Sequence, residues 1–154
     1  MSVNKASRTL IADYKKIIGE IESGELVGIH IEEPVDMHKW KVIIDGPPDS
    51  EWEGGKFQLN LTFSDQYPSQ HPTAQFQSKV FHPNVNESSG SICSSIFGSW
   101  SSDFNVTSVL TCLQSLLTNP NPDSTLNGTA GKLFKDNKIE YDRKVRECVQ
   151  LTLK

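Results

Sequence analysis

Cysteine is scarce: three residues in 154, Cys93, Cys112 and Cys148, an odd number spread far apart. That excludes a disulfide framework and a paired Cys-x-x-Cys zinc signature. Free thiols place the expected compartment in reducing surroundings, cytoplasmic or nuclear. Long apolar runs are missing. The N-terminus, Met1-Ser2-Val3-Asn4-Lys5, has no apolar signal segment. No window approaches the roughly 20 apolar residues of a membrane span, so no membrane association is expected. Excess positive charge is missing as well. Lys plus Arg number 15 against 19 Asp plus Glu, a formal net charge of −4. This argues against direct nucleic-acid binding, which needs a basic surface for phosphates, and leaves room only for a local basic patch.

The rest of the composition, 22% charged and 36% hydrophobic, is that of a soluble globular protein. Residues 1–154 suit one domain with a core large enough to fold alone, expected as a monomer. Glycosylation sequons start at Asn60, Asn86, Asn105 and Asn127. Without a secretory signal they read as chance matches in a Ser/Thr/Asn-rich chain.

Apolar residues Leu10, Ile11, Tyr14, Ile17, Ile18 and Ile21 recur at helical spacing, with Ser7 as the expected N-cap and Gly24 as the stop. Lys5, Arg8, Lys15 and Lys16 fall mostly off that stripe. They make a solvated basic face or a docking face for an acidic partner. The period then changes to two. Val27, Ile29 and Ile31 alternate with polar residues, as do Trp40, Val42 and Ile44, then Phe57, Leu59, Leu61 and Phe63, and more weakly Ala74, Phe76 and Ser78. Such runs, joined by breaks such as Asp45-Gly46-Pro47-Pro48-Asp49, predict an antiparallel meander with one buried face, covered by the first helix. Helical spacing resumes from Val106 to Leu117 and stops at Asn119-Pro120-Asn121-Pro122. Two further helices are expected near 128–134 and 138–151.

Between Phe81 and about Asn105 no period holds, and a long irregular stretch inside a compact domain is usually functional. It contains His82-Pro83-Asn84 and Gly90-Ser91-Ile92-Cys93. Cys93 has small or polar neighbours, no partners at metal-ligand spacing, and no recognisable histidine base among His30, His38, His71 and His82. The surviving reading is an accessible nucleophile without strong activation, suited to an acyl group that arrives as an activated thioester. Cys112 and Cys148 lie on apolar helical stripes and read as core. His82 reads as a hydrogen-bonding strut. Asn84 is equally a turn residue or an amide that steadies an oxyanion.

His82-Pro83-Asn84, Gly90-Ser91-Ile92-Cys93, Trp100 and Pro120-Asn121-Pro122-Asp123 together closely resemble the ubiquitin-conjugating enzyme family. The likeness extends back through Asp45-Gly46-Pro47, Glu53-Gly54-Gly55-Lys56-Phe57 and Tyr67-Pro68, and forward to Glu140-Tyr141. Ser78-Lys79-Val80-Phe81 and Gln114-Ser115-Leu116-Leu117 look most similar to its chromatin and DNA-repair branch. The resemblance implies an α+β fold: a helix, a four-stranded meander, an active-site loop, a long central helix and C-terminal helices. It implies that Cys93 receives ubiquitin from an activating enzyme as a thioester and passes it to lysines of protein substrates, usually with a ligase bound. Asn84 would organise the loop and help the oxyanion. His82, Pro83, Trp100 and Asp123 would support the loop. Lys5, Arg8, Lys15 and Lys16 would meet the activating enzyme, and Ser69, Gln70 and Ser102 the ligase. ATP and magnesium would be used by the activating enzyme, leaving this chain without a cofactor or metal.

Three departures stand out. Ser95 and Ser124 occupy positions where the family commonly carries carboxylates near the incoming lysine, with Asp103 and Asp123 as candidate substitutes. The loop at Ser69-Gln70-His71 is short of the apolar or basic residues often found there, and Ser102 replaces a common proline. Trp52-Glu53-Gly54-Gly55 and Ser95 also resemble the SUMO-conjugating branch, although the chain is less basic and has no insertion before the tryptophan. A ubiquitin-binding scaffold of weak activity is the remaining alternative; the presence of Cys93 counts against it.

Overall fold

Each of the four α-helices among the described residues begins at an asparagine whose side-chain oxygen accepts a backbone N–H of the first turn. Asparagine suits this role because its short side chain reaches amides that have no partner inside the helix. The computed structural model describes residues 4–154. Helix α1 spans Lys5–Ser23, and its cap is Asn4, not Ser7: Ser7 instead donates its own N–H to Asn4 Oδ1 at 2.7 Å. Ser7 therefore lies inside the first turn. Gly24 ends α1 with φ +82°, where a glycine has no side-chain penalty.

The sheet is an antiparallel meander in the order β1-β2-β3-β4, formed by β1 Ile29–Ile31, β2 Lys39–Asp45, β3 Lys56–Thr62 and β4 Thr73–Phe76. Trp40, Val42, Ile44, Phe57, Leu59, Leu61, Ala74 and Phe76 are buried on one face. Burying each large side chain of this kind contributes about 1.5–3 kcal/mol. Two strand ends fall short of the alternation. Val27 is exposed and outside β1, because Gly28 takes φ +84° and breaks the pleat before Ile29. Ser78 lies outside β4, where the Gln77 and Ser78 amides both donate to the Gln58 carbonyl and the ladder ends.

The helices α2 Val106–Thr118, α3 Gly128–Asp136 and α4 Lys138–Thr152 complete the fold. The buried sheet face is shared, not covered by α1 alone. Leu10 and Ile17 of α1, Leu110 and Leu113 of α2 and Val145 of α4 join it in one apolar cluster. Two carboxylates fasten α1 to the start of α2. Asp13 accepts from Tyr67 Oη at 2.5 Å and from the Val106 amide at 3.4 Å, and Glu20 accepts from Thr107 Oγ1 at 2.6 Å. Negative charge is favoured at a helix N-terminus, while burial pushes the Asp13 carboxyl above its ordinary range.

Cys148 is buried as expected, but Cys112 is only half-buried. Its helix face turns toward the irregular loop, where Sγ donates to the Ile96 carbonyl at 3.8 Å, so the apolar spacing of α2 overstated its burial. Asn127, the cap of α3, is buried, Nδ2 included.

Candidate active site

The irregular stretch is held from beneath by His82. Its imidazole is fully buried and donates from Nε2 to the Leu116 carbonyl at 2.7 Å, near the C-terminal end of α2, where that carbonyl also accepts the capping Asn119 amide at 3.1 Å. Nδ1 accepts the Asn84 amide at 3.0 Å. Burial pushes the ring down to about 4, so the neutral tautomer with hydrogen on Nε2 satisfies both partners at neutral pH. The Pro83 carbonyl accepts from the Leu126 and Asn127 amides at 2.7 and 3.0 Å, which ties this loop to the start of α3.

Asn84 is buried, and its side chain clasps the 121–124 loop. Nδ2 donates to the Asn121 carbonyl at 2.7 Å and the Ser124 carbonyl at 2.9 Å, and Oδ1 accepts the Asn121 amide at 2.7 Å. Both hydrogens of the amide are thus engaged. For this group to face an oxyanion, one of those two bonds must release.

Isolated bridges between Gln75 and Ser91 and between Val85 and Ile92 bring the Cys93 segment alongside. The approach requires Gly90, where φ is +77° and a Cβ would stand 2.0 Å from the Phe76 carbonyl oxygen. Cys93 then begins a short 3-10 turn, Ser94–Phe97, with its thiol partly exposed. Sγ lies 3.0 Å from Ser95 Oγ, and Ser95 Oγ lies 2.5 Å from Ser124 Oγ. The Ser95 hydroxyl and amide lower the thiol below its ordinary range. By contrast, burial raises Cys112 and Cys148. The site therefore combines a nucleophile favoured over the other two thiols with a rigid amide strut, the minimum for acyl exchange.

A family model described as ubiquitin-conjugating enzyme matches residues 10–149. The chain belongs to the ubiquitin-conjugating enzyme family. It is 44% identical to ubiquitin-conjugating enzyme E2 3 of Arabidopsis thaliana over 149 residues, covering 94% of this chain and 95% of that one. It is 40% identical to ubiquitin-conjugating enzyme E2 1 of Caenorhabditis elegans over 144 residues, covering 93% of this chain and 73% of the relative. A crystal structure described as a ubiquitin conjugating enzyme from Plasmodium yoelii superposes with a TM-score of 0.85 at 26% identity, covering 97% and 96% of the two chains. The chain is accordingly an enzyme of ubiquitin thioester transfer, a cysteine-dependent acyltransferase working with ubiquitin, an activating enzyme and ligases. The SUMO alternative is not favoured.

The remaining family positions in this ubiquitin-conjugating enzyme fall into separate groups. Lys5, Arg8, Lys15 and Lys16 are exposed on α1, with Lys16 paired to Glu20 at 2.8 Å. Ser69, Gln70 and Ser102 are exposed on two loops that Trp100 joins, its Nε1 donating to the Pro68 carbonyl at 2.8 Å. Phe104, absent from the expected set, is also exposed there, edge-on to Trp100 with centroids 5.3 Å apart. An aromatic residue just ahead of a helix was the available signal. Asp103 and Asp123 are exposed, and among the described residues the side-chain bonds of Cys93 and Ser95 end on hydroxyls. Asn121 was visible in sequence as a helix-stopping residue and as part of the Pro120-Asn121-Pro122-Asp123 motif, but not as the partner of Asn84. No group of three His, Cys, Asp or Glu among the described residues is placed to hold a metal ion, and no helix among them is long and apolar enough to cross a membrane.

Proposed function

We propose that Cys93 is the residue on which ubiquitin is carried, and that residues 1–154 act as one catalytic domain. The carrying observation is the partly exposed Cys93 thiol, lowered by Ser95, in a loop pinned by His82 and Asn84. The thiolate attacks the thioester presented by the activating enzyme, whose own thiolate leaves. A lysine amine of the substrate later attacks the Cys93 ester carbonyl. Asn84 holds the 121–124 loop and, on releasing one of its two carbonyls, turns an N–H toward the oxyanion formed by that attack.

The exposed cations of α1 form the surface for the activating enzyme, and the loops joined by Trp100, carrying Ser69, Gln70 and Ser102, form the surface for the ligase. The recipient of an activated acyl group needs no cofactor, so ATP and magnesium belong to the activating enzyme. The protein works as a monomer in a reducing cytoplasmic or nuclear compartment, which keeps the thiol free. The narrower likeness to the chromatin and DNA-repair branch rests on residues 78–81 and 114–117 alone.

The test is a charging reaction with activating enzyme, ATP, magnesium and ubiquitin, read on a non-reducing gel. A one-ubiquitin shift that disappears with reductant is expected. Cys93→Ser gives a reductant-resistant ester and Cys112→Ser charges as the parent does. Charging by Cys93→Ala would remove the assignment. No charging by the parent, with ubiquitin still bound, would favour the scaffold.

A further inference from the structure

We propose that Ser95 and Ser124 form a relay of two hydroxyls directed at the Cys93 sulfur, with Ser95 a catalytic residue of thioester exchange and Ser124 a positioning residue acting through it. The proposal rests on Cys93 being the thioester cysteine. Its geometry is a continuous line: Sγ to Ser95 Oγ at 3.0 Å, then Ser95 Oγ to Ser124 Oγ at 2.5 Å. The far end is anchored. Ser124 is buried, and its carbonyl is clasped by Asn84 Nδ2 at 2.9 Å.

The proton count gives the line a direction. A thiolate only accepts, so Ser95 must spend its single hydrogen on the sulfur, and its oxygen is then free to accept from Ser124. A neutral thiol can donate to Ser95 instead, and the line then runs the other way, away from the sulfur, starting from a weak S–H donor with no charge to strengthen it. The relay therefore favours the anion over the thiol, and hydrogen bonds to an ionised partner are the stronger kind. The lowering of the thiol by Ser95 agrees, and no charged group contributes to it. Chemically, the relay serves whenever the sulfur is anionic. In charging, Cys93 loses its proton to water, its thiolate forms the new C–S bond, and the activating enzyme's thiolate leaves. In discharge, the lysine nitrogen forms the C–N bond, the C–S bond breaks, Cys93 departs as thiolate onto the Ser95 hydroxyl, and the extra amine proton goes to water. No further reactant is needed. The serines thus replace a carboxylate aimed at the lysine with donors aimed at the sulfur, a role that a carboxylate at either position would oppose.

The test uses the uncharged full chain and iodoacetamide, with adduct at Cys93 followed by peptide mass across a pH series. Ser95→Ala is expected to move the alkylation profile to higher pH and to slow labelling near neutrality about five- to tenfold. Ser124→Ala moves it the same way by less. The double variant is no worse than Ser95→Ala, because the second hydroxyl acts only through the first, and Ser95→Thr restores the profile. An unmoved profile in Ser95→Ala overturns the relay. So does a Ser124→Ala effect that adds in full to that of Ser95→Ala, or one confined to melting temperature, which marks a purely structural contact. Because alkylation involves neither ubiquitin nor activating enzyme, its outcome is independent of whether Cys93 carries the thioester, which the gel decides.

Discussion

The segment His82–Asn84 is buried along its length, its imidazole and amide bonded to the main chain of Leu116, Asn121 and Ser124. The segment Cys93–Ser95 lies beside it on the surface, tied by two isolated bridges, a short 3-10 turn and two hydroxyl contacts. The buried half is fixed by bonds that cost free energy to leave unmade. The exposed half is held by contacts that side chains can remake, which suits the proposed role of Cys93 in admitting the tail of another protein. The difference separates rigidity, centred on His82, from reactivity, centred on Cys93, and Asn84 is the one residue proposed to serve both.

Substitution tests that separation. His82→Ala should have the largest effect on stability, since it leaves the buried Asn84 amide without its partner, takes from the Leu116 carbonyl one of its two donors and opens a cavity. A loss of about 3 kcal/mol or more is expected in denaturant unfolding, with residual Cys93 alkylation in the folded fraction nearly unchanged. Asn84→Ala should slow discharge to lysine on the order of 100-fold while slowing charging far less. Equal losses in the two half-reactions, measured by single-turnover assays, would make Asn84 a strut and nothing more.

A pH series sharpens the comparison further. The ordinary value of His82 in the unfolded chain is about 6.5, and burial pushes the folded ring down to about 4. The unfolded state therefore binds the proton first. Stability should be level above the unfolded value and fall by a few kcal/mol as pH drops between the two values, levelling off once the folded ring also protonates. Denaturant midpoints from pH 7 to 4 should lose that slope in His82→Gln.

The smallest effects concern the serines. Ser95→Asp or Ser124→Asp should raise discharge to free lysine a few-fold by accepting the amine proton, and should slow charging by setting negative charge against the thiolate. Single-turnover release to free lysine measures the first and gel charging the second. Fast release by the parent with no gain in either variant, together with a large loss in Asp123→Ala, would move the acidic role to Asp123.

The meander and the helices were legible because burial on one face imposes a period of two on Trp40–Ile44 and Phe57–Leu61, and one of 3.6 on Leu10–Ile21. The cap of α1 was misread because Ser7 and Asn4 are both good caps, and only backbone geometry chooses between them. Cys93 and Asn84 stood out as a thiol and an amide in an aperiodic stretch. The engagement of Asn84 was hidden because its partners are main-chain atoms of Asn121 and Ser124, which leave no signature in side-chain identity. The Cys93–Ser95–Ser124 line was hidden because its last two members are 29 residues apart and serine fits many surroundings.

Asn127 serves as the cap of α3 and also opens a sequon, Asn127-Gly128-Thr129. An oligosaccharide is attached through Nδ2, and here that atom is buried while the same residue's amide donates to Pro83. A chain glycosylated there before folding has no room for the sugar, and it cannot close the start of α3 onto the loop that carries Asn84. Production of this protein through a secretory host would therefore give a chain defective at the start of α3, and Asn127→Asp should remove that particular defect, since aspartate caps a helix about as well and accepts no glycan.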